Sequence, residues 1–351
     1  MSANAGHAAA ADVAAAAGGA AGAAGARLLR VQGLRVGYEV VHERARAQLV
    51  AVRDVAFEVA RGQTLGIVGE SGSGKSSIAR ALLRLVPAQA GQAWFLGQDL
   101  LQLRGARLQA MRRHLQLVFQ DPLGSLDPRM SIAETVAEPL RVFEPQLPDA
   151  DRARRVLAML QAVGLSAAHL QRLPHEFSGG QAQRIGIARA LIARPQLLLC
   201  DEPLSSLDVS IKSQIGNLLK RLQQELHLSM IFISHDLSAV RFACDRLLVL
   251  YLGEVVEQAD RDSLFGAPRH PYTRALLQAA PIPDPRRARA RRRVPLTGEM
   301  PSPLAPPSGC VFRTRCPHAL ERCARERPAL RALGASLVAC HRAEELDGAG
   351  A

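Results

Sequence analysis

Aromatic side chains are scarce in this chain: one Trp, three Tyr and nine Phe among 351 residues. The core must therefore be built mainly from aliphatic residues, and a hydrophobic fraction of 48% is ample for one. There is also no run of about 18 residues with the apolar strength to span a membrane, so no spanning helix is expected. The nearest stretch, residues 8–26, is almost all Ala and Gly. It is too weakly hydrophobic to insert stably, and it lacks the basic start and leucine-rich centre of a signal peptide. Residues 1–26 are expected to be a disordered, low-complexity tail. Acidic charge is in deficit: 44 Lys and Arg against 32 Asp and Glu leave a net charge of +12. Such a balance suits an anionic partner, either nucleic acid or an anionic membrane surface, or reflects a basic composition with no specific partner. The length allows one large domain with appendages, or two domains.

Against these absences stands one complete motif. Residues 69–76 read Gly-Glu-Ser-Gly-Ser-Gly-Lys-Ser, which fits G-x-x-x-x-G-K-[ST]. The apolar, β-branched run Thr64–Val68 before it predicts a buried strand, and residues 77–85 after it predict a helix. That strand–loop–helix context is what a phosphate-binding loop needs. Gly69, Gly72 and Gly74 let the backbone wrap a phosphate, so that successive N–H groups at a helix start, from Glu70, Ser71 and Ser73 onward to Ser77, can face it. Lys75 adds positive charge near the terminal phosphates, and the Ser76 hydroxyl is placed to ligate Mg²⁺. A chain with this loop binds a nucleoside triphosphate.

Read in order, the chain alternates strands and helices. Residues 28–36 predict a first strand and 52–59 a second, with a charged, Gly-free insertion or hairpin over 39–50. Further strands are expected at 91–96, 115–119, 197–200, 230–234, 246–250 and 254–258. Helices are expected after Ser178 through Ala193, over 209–226 and over 237–242. This pattern indicates a mostly parallel sheet with helices on both sides. Ser131-Ile-Ala-Glu134 is a capping-box sequence opening a helical stretch, so a helical subdomain over about 121–175 is expected. From Gly266 the composition shifts to Pro-rich, with six Arg in residues 286–293. A small cysteine-bearing segment, 308–343, follows.

Several strand ends carry polar residues suited to nucleotide chemistry. Asp201 and Glu202 close an apolar strand, where a sheet of this type faces its ligand crevice. Asp201 can orient Mg²⁺ through its water shell, and Glu202 can polarise an attacking water. The bland reading is an acidic turn that ends a strand. Gln120 ends another strand and could contact Mg²⁺ or that water. His235 ends a third and could touch a γ-phosphate, although a lone His is more often structural. Ser178-Gly179-Gly180-Gln181 is itself a capping box. Two glycines at a helix start also make an anion site, and with a complete phosphate loop elsewhere this second site suggests the nucleotide of another chain.

The order of these pieces resembles the ATP-binding-cassette ATPases: phosphate loop, Gln120, residues 178–184 (Ser-Gly-Gly-Gln-Ala-Gln-Arg), residues 197–203, Ser206-Leu207-Asp208 and His235. More narrowly, residues 118–129 (Val-Phe-Gln-Asp-Pro-Leu-Gly-Ser-Leu-Asp-Pro-Arg), 270–277 (His-Pro-Tyr-Thr-Arg-Ala-Leu-Leu) and 301–310 are similar to the ATP-binding subunits of bacterial oligopeptide/dipeptide importers, a family that also includes nickel and glutathione importers. The resemblance covers about residues 28–343. It implies a phosphate-loop NTPase of cassette type: ATPase domain 27–265, a C-terminal extension over 266–343 and a tail at 344–351. It implies that two such domains close head to tail around two ATP. Tyr38 would stack on adenine, residues 69–77 would hold the phosphates, and Mg²⁺ would sit against Ser76, Gln120 and Asp201. Glu202 would be the general base and His235 would hold the γ-phosphate. Ser178, Gly179, Gly180 and Gln181 would act in trans, with Asp208 linking the two sites. The implied partners are two membrane permease subunits, a second cassette ATPase (a paralogue or a second copy) and, indirectly, an extracytoplasmic solute-binding protein. The implied place is peripheral, on the cytoplasmic face of the inner membrane. Phe177 and Ala182 depart from the Leu and Arg usual in the family signature.

Four cysteines, Cys310, Cys316, Cys323 and Cys340, fall in one short segment, where a cytosolic setting disfavours disulfides. Four thiolates suit a metal site, but the paired C-x2-C of common zinc modules is missing. The resemblance favours a [4Fe–4S] cluster; zinc and metal-free buried thiols are the alternatives. The rival reading from another class is a soluble cassette ATPase acting on nucleic acid or ribosomes. Such proteins usually carry two cassettes, a long coiled coil or inserted zinc modules, and this chain has one phosphate loop, one signature and no heptad run. No nucleic-acid partner is therefore expected.

Overall fold

The computed structural model describes residues 27–42, 45–205, 207–280 and 298–348. The Ala/Gly tail, Ser206, the arginine strip at 286–293 and the last three residues lie outside that range. The described residues form two compact units, one made of those from 27 to 60, 65–101 and from 235 onward, the other of 61–64 and those from 102 to 234.

The first unit holds an antiparallel sheet ordered Ala45–Ala60, Arg27–His42, Ala90–Phe95, Gln98–Asp99. The two long strands pair as Leu29 with Val59, Val31 with Phe57 and Tyr38 with Leu49. A connection of two residues between them leaves a hairpin as the only pairing available, because parallel neighbours need a crossover of a dozen or more residues. This sheet departs from the expected mostly parallel arrangement for that reason. Alternate residues Val50, Val52, Val55, Phe57 and Val59 are buried, with the register shifting between Val52 and Val55. The same unit contains Thr64–Val68, all five residues buried, paired in parallel with Arg246–Tyr251. Leu252 and Gly253, both at positive φ (47° and 80°), then turn the chain into Glu254–Asp260, as a tight hairpin requires. Two short strands that the sequence pattern did not reveal, Arg331–Leu333 and Ser336–Val338, extend this sheet from the cysteine segment.

The second unit is parallel. Leu115–Val118, Leu197–Asp201 and Ser229–Ile233 lie side by side in that order. The last two are buried throughout, which is why they read as unbroken apolar runs instead of alternating ones. Helices Ile132–Phe143 and Asp149–Ala162 occupy the expected helical stretch. The first opens with the expected capping box: Ser131 Oγ accepts from Glu134 N at 3.3 Å, and Ser131 N donates to Glu134 Oε2 at 2.8 Å. Helices Gly179–Leu191 and Val209–Leu226 follow.

Candidate functional site

The phosphate loop leads from Thr64–Val68 into the helix Lys75–Leu82. Two of its glycines are dictated by close approach of backbone. A Cβ on Gly69 would lie 2.3 Å from Leu250 O, and one on Gly74 would lie 2.2 Å from Ala51 O; both residues are at positive φ, 154° and 100°. Only glycine combines that conformation with that clearance. Gly74 is the N-cap of the helix and, being glycine, makes no side-chain cap bond. With no acidic residue in the first turn, the positive end of the helix is left for an anion. Lys75, 4% exposed, donates from Nζ to Gly69 O and Glu70 O at 2.8 and 2.9 Å, so its charge lies along the loop. Gly72, exposed, has open space where a Cβ would stand. These features fit a bound triphosphate. Tyr38 stands on the first strand, and its hydroxyl donates to Ser77 Oγ at 3.0 Å, so the expected adenine-stacking residue is brought beside the start of this helix.

The loop is also braced from residues that sequence reasoning did not assign. Gly253 N donates to Ser73 O at 2.9 Å. Glu70 N donates to Tyr272 Oη at 2.9 Å, and the Glu70 carboxylate receives Arg315 at 3.0 Å. The available signal was Tyr272 itself, within the His-Pro-Tyr sequence already singled out.

The second unit gathers a different set. Asp201, 6% exposed, ends its strand. Glu202 follows at φ 47°, a left-handed conformation uncommon outside glycine and often found where a side chain is aimed for function. Its N–H donates to Ile233 O at 2.9 Å, and Ser205 Oγ donates to its carbonyl at 3.0 Å. Gln120 Nε2 donates to Glu202 Oε2 at 3.2 Å. The structure thus brings Gln120 and Glu202 together from two parallel strands. Ser178 caps the helix Gly179–Leu191: its Oγ accepts from Gln181 N at 3.4 Å while its N–H donates to Gln181 Oε1 at 3.1 Å. Ser178 is exposed and Gly179 and Gly180 are half-buried. Phe177 is buried against His169, ring centroids 5.6 Å apart, and Ala182 is wholly buried, so both departures from the family pattern sit in packing. Asp208 is the N-cap of Val209–Leu226, without a side-chain cap bond. His235, the first residue of the chain's return to the first unit, is exposed, two residues past the strand Ser229–Ile233.

The cysteine segment gives a weaker result than expected. Cys310, Cys316, Cys323 and Cys340 are free thiols, and among the described residues no three His, Cys, Asp or Glu side chains are arranged to hold a metal ion. They do share one electrostatic neighbourhood: Cys310 feels the other three, and Cys316 feels Cys340 and Cys323. Burial pushes the Cys310 thiol up to about 12 and that of Cys316 to about 11. Leu320 N and Arg342 N point at Cys323 and Cys340 sulfur, at 3.5 and 3.4 Å. Among the described residues, no helix is long and apolar enough to cross a membrane.

Comparison with known proteins accords with this geometry. Residues 52–205 match the ABC transporter family, and residues 256–323 match the oligopeptide/dipeptide transporter C-terminal region. The chain is 49% identical over 324 residues to an oligopeptide transport ATP-binding protein, OppF, of Salmonella typhimurium, covering 91% of this chain and 97% of that one. A putative peptide import ATP-binding protein of Brucella ovis is 50% identical over 304 residues, 87% of this chain and 94% of that protein. Among solved structures, a dimeric ATP-binding cassette in a post-hydrolysis state with ADP and Pi matches with TM-score 0.61 at 28% identity, covering 67% of this chain and 99% of that one. Phosphate loop, strand-end carboxylates, capped signature helix and C-terminal region thus agree with identity along nearly the whole sequence, and the chain belongs to the ATP-binding subunits of the oligopeptide/dipeptide branch of ABC transporters.

Proposed function

We propose that this chain binds and hydrolyses ATP to power import of peptides or related small solutes through a membrane permease complex. The observation that carries this reading is a complete, glycine-shaped phosphate loop on the same chain as a match to the oligopeptide/dipeptide transporter C-terminal region. Lys75 and the N–H groups of the loop and helix start hold the triphosphate, apart from those of Glu70 and Ser73, which are engaged with Tyr272 Oη and Glu70 O. Ser76, Gln120 and Asp201 are the residues that would hold Mg²⁺, which neutralises charge on the phosphate oxygens when bound. Glu202 takes a proton from water as its oxygen attacks the γ-phosphorus, the bond from that phosphorus to the β–γ bridging oxygen breaks, and ADP leaves with inorganic phosphate as the other product. Gln120 holds the carboxylate or the water in line, and His235 steadies the γ-phosphate. In this reading Tyr38 stacks on adenine, and Ser178, Gly179, Gly180 and Gln181 serve the nucleotide of a second ATPase, with Asp208 at the link between sites. That second subunit is a paralogue or another copy, working with two permeases and, indirectly, a solute-binding protein at the inner face of the membrane.

For the cysteine segment, the finer proposal is a metal held by Cys310, Cys316, Cys323 and Cys340, with [4Fe–4S] favoured over zinc. Its support is the shared electrostatics of the four thiols and the N–H groups aimed at two sulfurs. No step of hydrolysis runs through it. Iron, zinc and acid-labile sulfide analysis of the anaerobically purified protein tests it; metal-free protein with four titratable thiols would remove it.

The test of the main reading is a mild-detergent pull-down of the tagged chain from its native host, with mass spectrometry of what is retained. Two multi-spanning permeases and a second cassette ATPase are expected. Ribosomal proteins or nucleic acid without membrane proteins would overturn it.

A further inference from the structure

Glu70, the second residue of the phosphate loop, is held at its backbone and at its side chain by residues far along the chain. Its N–H donates to Tyr272 Oη at 2.9 Å. Its carboxylate accepts from Arg315 Nη1, 3.0 Å to each oxygen. Arg315 is 7% exposed. It lies one residue before Cys316, and its guanidinium also reaches Tyr251: 3.4 Å to the hydroxyl and 5.8 Å to the ring centroid. Tyr251 in turn packs with Tyr272 and Phe312, the three ring centroids 4.7 to 5.4 Å apart and all three essentially without exposure.

A buried ion pair is weak evidence for stability as such, because desolvation offsets much of the attraction. Its placement is informative here. One partner is inside the loop whose shape is the binding site; the other lies against Tyr251, whose ring packs with those of Tyr272 and Phe312. A phosphate loop gains affinity when its N–H groups are ordered before the ligand arrives, since less freedom is then lost on binding. We infer that Arg315 is a positioning residue for ATP: through Glu70 it fixes the phosphate loop from the cysteine-bearing C-terminal segment. The segment then contributes to nucleotide binding without touching nucleotide. This rests on the ATP reading of the loop.

The test uses the full-length chain in its transporter complex, reading ATPase kcat and KM together with Kd for ATP by equilibrium binding. Four variants form the set: Arg315→Met, Arg315→Lys, Glu70→Gln and the double Glu70→Gln/Arg315→Met. Contacting residues typically couple by a few-fold to about a hundredfold. Arg315→Met is expected to raise KM and Kd about 3- to 30-fold with kcat within about twofold, and Arg315→Lys to recover part of the loss. The double variant should be no worse than the weaker single. A purely structural Arg315 would lower thermal stability and active fraction while KM held; that result, or effects that multiply in the double variant, overturns the inference. If Arg315→Met fails to fold, Arg315→Lys decides, and an unchanged KM in it overturns the inference. Lys75→Ala separates the two readings: should it bind ATP as tightly as the parent chain, the ATP assignment of the loop fails, whatever Arg315 does.

Discussion

The helices Lys75–Leu82 and Gly179–Leu191 both start from a glycine-bearing loop, and they treat their first N–H groups in opposite ways. The first is entered through Gly74 in a left-handed conformation, an N-cap that makes no side-chain cap bond. The second is closed by its own Ser178 and Gln181, each bonding the other's backbone. Neither has an acidic residue in its first turn, so neither dipole end is neutralised from within. The glycines differ too. At Gly69 and Gly74 a Cβ would strike backbone carbonyls; at Gly179 it would meet only Leu207 Cδ2 at 3.6 Å, an ordinary contact. The phosphate loop is built so that its own chain leaves no alternative shape. The capped helix is closed by its own residues, and Gly179, unlike Gly180, meets no close contact that would require it to be glycine. The proposed role in a second subunit's nucleotide site would give Gly179 a reason to be glycine that its own surroundings do not supply.

The sharpest cut through this comparison leaves both helix starts intact and removes the chemistry. Neither supplies a base, so Glu202→Gln should bind ATP with near-parental affinity while hydrolysis falls about 10²- to 10⁴-fold. Single-turnover hydrolysis in the assembled complex measures it. A parental rate in this variant would take the base away from Glu202 and leave the left-handed strand end without its assigned role.

Next in size is Gly74→Ala. Its φ of 100° is strained for alanine and its Cβ collides with Ala51 O. Strain alone costs on the order of 1–3 kcal/mol, and relief requires the loop to move. Gly72→Ala is the control, because it has φ 78° with nothing within 4 Å. Thermal unfolding and ATP titration should rank parent, then Gly72→Ala, then Gly74→Ala. Equal losses for the two would mean that the collision is absorbed and that conformation alone requires the glycine.

The phosphate loop was legible because its chemistry is contiguous: glycines, Lys75 and Ser76 are neighbours in sequence, and the flanking strand and helix have clean patterns. The capped helix was legible for the same reason, as Ser178 and Gln181 are three residues apart. What was hidden depends on distant partners. No local pattern says that Tyr272 and Arg315 meet Glu70, 202 and 245 residues away. The short strands at 331–333 and 336–338 exist because Ser336–Val338 joins the edge of Glu254–Asp260, a long-range pairing that three residues cannot announce. The paired Gln120 and Glu202 were each seen, but as strand ends only; their 3.2 Å contact follows from parallel register.

The residues that brace the phosphate loop include a buried titratable group, so the fold around the loop carries a pH dependence. His270 is 1% exposed, its Nδ1 accepts from Tyr272 N at 3.0 Å, and its ring lies 5.8 Å from that of Phe312. Burial lowers its pKa to about 3. A histidine depressed in the folded state contributes stability that is full above the unfolded value of about 6.5. That stability is lost as pH falls toward 3. Between pH 6.5 and 5 the unfolding constant should rise by up to tenfold per pH unit on this group's account. The pKa of the nearby Glu257 carboxylate is raised by its own burial, so its proton uptake in the folded state acts in the opposite sense. Denaturant midpoints of parent and His270→Asn across this range isolate the histidine; parallel curves would show that His270 titrates normally.

The smallest expected effect on folding is the one that bears most directly on what approaches the second helix start. Gly179→Ala places a methyl in ordinary contact with Leu207, and alanine is favoured over glycine in helices by up to about 1 kcal/mol. The unfolding midpoint should therefore hold or rise slightly. Gly180→Ala differs, since its Cβ would stand 2.6 Å from Ile211 Cγ2, and that side chain must rotate. If the helix start receives a phosphate from a second subunit, both variants should lose hydrolysis in the assembled complex, and ATP binding by the isolated chain should stay at the parental level, because the phosphate loop is untouched. Loss of hydrolysis without loss of stability would show that the glycine is kept for a partner's nucleotide. Unchanged hydrolysis in Gly179→Ala would mean that Ser178 and Gln181 cap a helix and do nothing more, and the two helix starts would then differ in kind and not only in how their ligand arrives.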